Sequence, residues 1–193
     1  MKPLSLSDIQ NLHDYELSRP QFRQQVIEVK KRRRVPLGPL MTLVFENSDT
    51  VLFQVQEMLR IERIVRPDKV EEELAVYSEL LPGPGEVAAT LFIEVTDPAQ
   101  VQPVLDRFVG LDEPGRLYLS VGDEKFPARF APGQSREDRI SAVHYIRFAL
   151  GDSGRAGLAA GTPAALSVDH GGYSARTVLS AETVSELLHD LDG

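Results

Sequence analysis

The sequence predicts an α+β protein, in which a helical N-terminal part packs on a mostly antiparallel β-sheet of about six strands and a helix closes the C-terminus. Three observations predict this class. Helical periodicity and helix-capping residues dominate the chain up to residue 85, whereas alternation of apolar and polar residues dominates from Glu86 onward. Short glycine-containing turns separate the later strands, as in hairpins.

The N-terminal part, residues 1–85, carries the signals of several helices. Ser7 or Asp8 offers an N-cap for a short first helix. A second helix is predicted to start near Pro20, because proline is favoured in the first turn. It is predicted to end before the prolines and the glycine at 36–39.

A strand and two further helices complete this part. Residues 40–47 predict the strand, and a helix capped by Ser48 or Asp49 follows it. Pro67 ends that helix and precedes the next one. The Pro-Gly-Pro-Gly segment at 82–85 then interrupts all periodicity, so it is the predicted boundary between the two parts.

The C-terminal part, residues 86–193, is predicted to hold the antiparallel sheet and its flanking helices, and the two parts are expected to form one compact unit. Asp97 caps a helix within it. The Gly-Asp pair at 122–123 and the Gly-Gly pair at 171–172 predict the turns of two hairpins. Ser180 caps the closing helix.

Composition narrows the classes of function. The 193 residues carry 29 acidic and 21 basic side chains, a formal net charge of -8, which argues against a general nucleic-acid binder. The lack of cysteine excludes disulfides, thiol catalysis, thiolate zinc sites and cysteine-ligated iron–sulfur clusters within this chain. No apolar run approaches the ~20 residues that cross a bilayer, and the first residues lack a signal-peptide core, so we expect a cytoplasmic protein.

The strand predicted from Ile140 contains a histidine. Alternation places His144 on the apolar face and Tyr145 and Arg147 on the other face. Two interpretations of His144 stay open. It is either a buried neutral imidazole bonded to a backbone carbonyl or a carboxylate, or a pocket histidine that carries a proton or binds a metal.

Four charged residues precede this strand: Arg136, Glu137, Asp138 and Arg139. Neighbouring residues of an extended chain point to opposite faces, so the two carboxylates are not expected to work as a dyad. The cluster is either an ion-pair network that holds the loop in place, or an arginine-lined site for a carboxylate or phosphate.

Charged pairs at helical spacing occur after residue 48: Glu57 with Arg60, and Glu62 with Arg66. Such pairs, with Arg63 beside them, are typical of a solvated or interface face. A di-iron bundle needs a Glu-x-x-His motif from each of two helices, and the chain does not contain two. The five basic residues at 30–34 end another helix, where they complement the helix dipole or meet a partner, or contact an anion or nucleic acid.

A histidine–carboxylate metal site is a weaker hypothesis. It would use His144 or His170 with Asp169 or Glu137, since iron or zinc can be held without thiolates. A tight turn that needs two glycines explains the sequence around His170 without any chemistry. We therefore predict no metal and no cofactor for this chain.

Residues 32–64, 80–97 and 133–148 are distinctive. In these blocks, and along almost its whole length, the chain resembles the bacterial proteins grouped as domain of unknown function 3501. That family has no established activity, so the resemblance assigns no catalytic residue. Its members are often encoded beside rubrerythrin-like di-iron proteins and iron–sulfur oxidoreductases, which implies an accessory role in oxidative stress or electron transfer.

Two functions stay open. One is a non-enzymatic accessory or adaptor that binds a di-iron or iron–sulfur protein through its charged helix and loop. The other is a small-ligand-binding protein or enzyme for an anionic substrate, which requires the helix and the loop to lie close together. No nucleic-acid or membrane partner is predicted. The candidate residues are Glu57, Arg60, Arg63, Arg136, Glu137, Asp138, Arg139, His144 and Tyr145.

Overall fold

A computed structural model describes residues 4–136 and 139–192. Within these ranges the chain forms six α-helices and eleven β-strands, besides short 3-10 turns at Leu6–Asp8 and Pro98–Gln100. The helices are α1 (Leu12–Arg33), α2 (Ser48–Glu62), α3 (Pro67–Ser78), α4 (Val101–Asp106), α5 (Gly151–Ala159) and α6 (Ala181–Asp192). The strands are β1 (Arg34–Leu37), β2 (Met41–Glu46), β3 (Glu86–Ile93), β4 (Leu117–Val121), β5 (Glu124–Pro127), β6 (Arg129–Phe130), β7 (Ser135–Arg136), β8 (Arg139–Ile140), β9 (Val143–Ala149), β10 (Ala164–His170) and β11 (Tyr173–Val178).

The strands form two larger antiparallel sheets and a short two-stranded sheet. The first sheet has the order β1-β2-β3-β9-β6, the second has the order β11-β10-β4-β5, and β7 pairs with β8. The predicted α+β class, with antiparallel strands and a C-terminal helix, is confirmed. The division into two sheets was not foreseen, because alternation shows which side chains face a core but not which strands pair.

The first sheet draws strands from both sides of the segment at 82–85. Strand β2 pairs with β3 from Met41 opposite Ile93 to Glu46 opposite Ala88. Strand β9 then pairs with the other edge of β3. The residues before and after the Pro-Gly segment therefore share one hydrogen-bonded sheet.

The main core lies between the inner faces of the two sheets. Burying one large apolar side chain stabilises a fold by about 1.5–3 kcal/mol, so a shared cluster ties the sheets firmly together. One cluster of fully buried side chains contains residues of both sheets: Leu43, Phe45 and Leu91 from the first, and Leu119 and Leu166 from the second.

Helices cover the outer face of the first sheet. All six residues of β2 are buried, including Thr42, Val44 and Glu46, which alternate with the core residues Leu43 and Phe45. Polar side chains on this face are therefore enclosed as well. A second apolar cluster joins α2 to α3 through Val55, Leu59, Val70 and Leu74.

The first helix differs from the prediction. A single helix α1 runs from Leu12 to Arg33 with Pro20 inside it, capped by Asn11, whose side chain accepts from the backbone N–H of Asp14 at 3.0 Å. The predicted start near Pro20 is thus wrong. The helix continues through the proline because its flanks are held by packing, as Tyr15 and Val26 are both buried.

The basic end of α1 is bound to the last helix of the chain. Arg33 is fully buried and donates to both carboxylate oxygens of Asp190, at 2.7 and 2.8 Å. Glu186 accepts from Arg32 at 2.6 Å and from Arg33 at 2.9 Å. These arginines therefore join α1 to α6, a role that the dipole interpretation did not include.

The predicted cap of α2 at Ser48 or Asp49 is wrong, because Asn47 caps this helix by accepting from the backbone N–H of Thr50 at 3.0 Å. Other local predictions are confirmed. The hairpin of β10 and β11 turns at Gly171 and Gly172, whose φ angles are +56° and +79°, a region that favours glycine. Ser180 caps α6 by accepting from the N–H of Thr183 at 3.1 Å. In β9, His144 is fully buried on the core side.

Candidate functional site

The charged residues of α2 are engaged with α1. Glu57 accepts from Arg19 at 2.7 and 2.8 Å, and from the hydroxyl of Tyr15 at 2.8 Å. Arg60 donates to Glu16 at 2.7 Å. Two of the predicted site residues are thus part of a contact between helices.

This contact between α1 and α2 shifts the pKa values of Glu57 and Tyr15. The hydrogen bonds of Arg19 are the main reason why the pKa of Glu57 lies below its ordinary value. Burial first, and then the hydrogen bond with Glu57, raises the pKa of Tyr15. Since Glu57 is ionised and paired, it is poorly placed to act on a ligand.

Two further candidates, Arg63 and Arg139, are exposed. Arg63 ends α2 with a left-handed φ of +55° and is exposed. Arg136 of β7 pairs through its backbone with Arg139 of β8, and Arg139 is exposed. The remaining two candidates of the loop, Glu137 and Asp138, lie outside the described residues.

His144 is enclosed in the core. Its Nε2 lies 2.8 Å from the carbonyl oxygen of Ser141, and its ring meets Phe130 edge-on with centroids 5.4 Å apart. Nδ1 has no hydrogen-bond partner within the described part of the chain. Burial lowers the pKa of His144, which matches the interpretation of a neutral structural imidazole.

A pH dependence follows from this burial. Because the folded-state pKa of His144 lies below the ordinary 6.5, the unfolded chain takes up the proton more readily, so stability is complete above that value and falls as the pH drops below it. We expect the unfolding free energy to decrease less between about pH 7 and pH 5 in His144→Gln than in the unmodified protein. Urea titrations at the two pH values measure this, and equal decreases in both proteins would contradict it.

The weaker metal hypothesis gains no support from the geometry. Among residues 4–136 and 139–192, no group of three or more histidine, aspartate or glutamate side chains is arranged to hold a metal ion. His170 Nε2 lies 2.9 Å from the carbonyl oxygen of Val109, and Asp169 is exposed. One Glu-x-x-His motif occurs, in α6, where its Glu186 binds Arg32 and Arg33.

A cleft of about 670 Å³ opens between α3 and the strands β6 and β9 of the first sheet. It has the size of many small-molecule sites. Of the described candidate residues, Tyr145 alone lines it. Charged side chains at its surface are Glu46, Glu73, Glu79, Arg129 and Arg147.

Glu46, at the end of β2, contributes a nearly buried carboxylate to this cleft. Its exposed fraction is 3%. One oxygen accepts from the hydroxyl of Thr90 at 2.6 Å and the other from the amide of Gln54 at 3.2 Å. Both partners are neutral, and no cationic group of the described residues forms an ion pair with it, although a buried carboxylate is costly without a positive partner.

Both arginines of the cleft share one carboxylate outside it. Arg129 lies 3.3 Å and Arg147 lies 3.6 Å from the oxygens of Glu86. Arg147 also donates to the backbone carbonyl of Glu79. Both positive charges of the cleft are therefore already engaged by interactions within the protein.

Aromatic rings line the cleft as well. Tyr77 comes from α3, Phe130 from β6 and Tyr145 from β9. Burial is the main reason why the pKa of Tyr77 is raised, and the neighbouring Tyr145 and Glu73 add to it. Tyr77 and Tyr145 thus both contribute aromatic surface to the cleft.

Sequence reasoning found Tyr145 but missed the rest of this cleft. Glu46 had a signal, since it ends a strand whose other residues are mostly apolar, and a carboxylate there is unusual. The other residues of the cleft had no such signal in the sequence, because α3 is far from the strands β6 and β9 in the chain and meets them only in the fold.

One comparison with known proteins identifies the family, and another finds a solved structure with a similar fold. The family model described as Protein of unknown function (DUF3501) matches residues 3–191. A crystal structure of a novel protein of unknown function from Burkholderia pseudomallei is similar at 35% identity with a TM-score of 0.92, covering 99% of this chain and 100% of that chain. No curated protein matches this chain. Within the described residues, no helix is long and apolar enough to cross a membrane.

Proposed function

Because the chain belongs to the DUF3501 family of proteins of unknown function, we propose its function from its own geometry: it binds a small organic molecule in the cleft between α3, β6 and β9. The observation that carries this proposal is Glu46. A carboxylate that is 3% exposed, yet contributes to a cleft of about 670 Å³, is an anchoring group of the kind that orients ligands.

The surroundings of Glu46 support a binding role. Apolar and aromatic side chains supply contact area, while a few polar groups supply direction, as in most small-molecule sites. Thr90 and Gln54 hold the carboxylate in place through the hydrogen bonds described above. A positioned polar group costs little additional ordering when a ligand binds.

A fragment titration followed by ¹H–¹⁵N NMR tests the proposal. We expect fragments to shift the backbone amides of Ala131 and Tyr145, which border the cleft. Val76 is 63% exposed on the α3 side of the cleft, so Val76→Trp should obstruct it without disturbing the core. We expect this substitution to lower the affinity of those fragments by about tenfold, which corresponds to 1.4 kcal/mol of binding free energy.

Val178→Trp is the matched control. Val178 is 58% exposed in β11, on the second sheet, and does not line the cleft. It should leave fragment affinity unchanged. The proposal is wrong if no fragment shifts the cleft amides, or if the two tryptophan variants weaken binding equally.

The accessory role with a di-iron or iron–sulfur partner stays a prediction. This role requires the charged face of α2, but that face already forms ion pairs within the chain, since Glu57 binds Arg19 and Arg60 binds Glu16. A partner would therefore have to compete with these ion pairs or meet other residues, which leaves the cleft as the better-supported site.

A further inference from the structure

The charge of the cleft indicates the class of its ligand, an inference that rests on the proposed function. Three glutamates and two arginines line the cleft. Both arginines already face Glu86, at 3.3 and 3.6 Å. With Glu86 included, the described side chains around the cleft therefore carry more negative than positive charge, which disfavours an anionic ligand at this cleft.

The carboxylate of Glu46 is the part of this negative charge that is best placed to bind a ligand. Each carboxylate oxygen can accept about two hydrogen bonds, and each oxygen of Glu46 receives one, from Thr90 or from Gln54. Each oxygen therefore retains the capacity to accept one further hydrogen bond. A cationic donor would also supply the opposite charge that a buried carboxylate otherwise lacks.

The other walls distinguish an organic cation from a metal ion. Tyr77 and Tyr145 offer aromatic faces, which attract ammonium and amidinium groups. Val76 and Leu80 add apolar surface that a bare metal ion would not use. Within the described ranges, no three carboxylate or histidine donors are grouped as a metal ion requires.

We propose that the cleft selects an organic cation, with an amine or amidine head bonded to the Glu46 carboxylate and an apolar body against the wall formed by Tyr77, Val76 and Leu80. The planar amidinium matches a carboxylate with two parallel N–H donors, as an arginine side chain does. The ligand thus supplies the cationic partner that none of the described residues provides beside Glu46.

Three probes of one shape test the sign of the charge: benzamidine, benzamide and benzoate are cationic, neutral and anionic. We expect benzamidine to shift the amides of Ala131 and Tyr145 and to bind at least tenfold more tightly than the other two. Glu46→Gln should weaken benzamidine by about tenfold or more, because a hydrogen bond to a charged group contributes about 1.5–3 kcal/mol.

Glu94→Gln is a matched control. Glu94 also accepts a hydrogen bond from a threonine, Thr42, at 2.8 Å, but its side chain is 51% exposed and does not line the cleft. Benzamidine affinity should not change in it. If Glu46→Gln unfolds the protein, Glu73→Gln can replace it, because Glu73 lines the same cleft. This substitution should lower the affinity for benzamidine by a few-fold.

The outcomes separate this inference from the proposed function. If benzoate or benzamide binds the cleft as tightly as benzamidine, the ligand is not selected as a cation, while the cleft remains a binding site. If benzamidine does not bind at the cleft, the inference is wrong, and the fragment titration with Val76→Trp decides the proposed function independently. Equal losses of benzamidine affinity in Glu46→Gln and Glu94→Gln would also overturn the inference.

Discussion

Replacing Arg33 by methionine is expected to lower the unfolding free energy by about 3–5 kcal/mol, because it leaves a buried carboxylate without its partner. Asp190 is 7% exposed, and both of its oxygens receive hydrogen bonds from Arg33. Burial already raises the pKa of Asp190 despite this partner. Urea unfolding at neutral pH measures the loss, and the melting temperature should fall by about 2–4 °C for each kcal/mol.

Arg34→Met is the control for this prediction. Arg34 is the next residue, but its side chain and that of its partner Glu94 are each 51% exposed, with the charged atoms 3.5 Å apart. Exposed pairs contribute little, so we expect a change within about 0.5 kcal/mol. Equal losses in the two variants would show that the buried pair does not hold α1 to α6.

The double variant Arg33→Met with Asp190→Leu isolates the cause. If the loss in Arg33→Met comes from the unpaired carboxylate, removing that carboxylate as well should recover most of it, since apolar residues can replace a buried ion pair. If the double variant is as unstable as the single one, lost packing is the cause instead.

Gly38→Ala is expected to lower the unfolding free energy by about 2–4 kcal/mol, the combined cost of a left-handed backbone and of overpacking. Gly38 has a φ of +72° in the turn between β1 and β2, and an added Cβ would lie against the hydroxyl of Tyr173 and 3.0 Å from Ala175. That hydroxyl donates to the carbonyl of Leu37 at 2.6 Å and accepts from the N–H of Leu40 at 3.1 Å. The substitution therefore disturbs the place where the first sheet meets β11.

Gly115→Ala separates the two costs. Gly115 has a φ of +85°, and nothing lies within 4 Å of an added Cβ, so it reports the backbone cost alone, about 1–2 kcal/mol. Thermal unfolding of both variants measures the difference. A Gly38→Ala loss no larger than that of Gly115→Ala would mean that Tyr173 yields to the methyl group without cost.

Local structure was predictable where a few neighbouring residues decide it. The glycine pair at 171–172 requires a turn, Ser180 has the hydroxyl that a helix N-terminus needs, and alternation places His144 on the core side of β9. Each of these depends on backbone sterics, on one hydrogen bond or on the period of a strand. None of them requires knowledge of what the element packs against.

Predictions were wrong or incomplete where distant residues decide the outcome. Pro20 lies inside α1 because packing of the flanking turns outweighs the lost hydrogen bond. The arginines at the end of α1 look like a surface patch in sequence, yet Arg33 is buried because Asp190, late in the chain, faces it. Periodicity carries no information about such pairs.

The candidate site shows the same limit through its glutamates. The sequence drew attention to Glu57, which stands among arginines, and the fold pairs Glu57 with Arg19 on α1. Glu46 was not among the predicted site residues, and its only partners in the described chain are the neutral Thr90 and Gln54. The concentration of charged residues in the sequence therefore pointed to a glutamate that already has an ion-pair partner within the fold.

By itself, the sequence determined the α+β class, the glycine turns, the caps at Asp97 and Ser180, and the face of β9 on which His144 lies, because these follow from local sterics and short-range periodicity. The family followed from the resemblance of the sequence to known proteins. Only the tertiary structure decided that the strands form two sheets, that Arg33 is enclosed, and that Glu46 meets Tyr77 and Tyr145 at one cleft. The physical reason is that pairing, burial and the neutralisation of charge depend on which distant segments come together, and that choice is made by the packing of the whole chain.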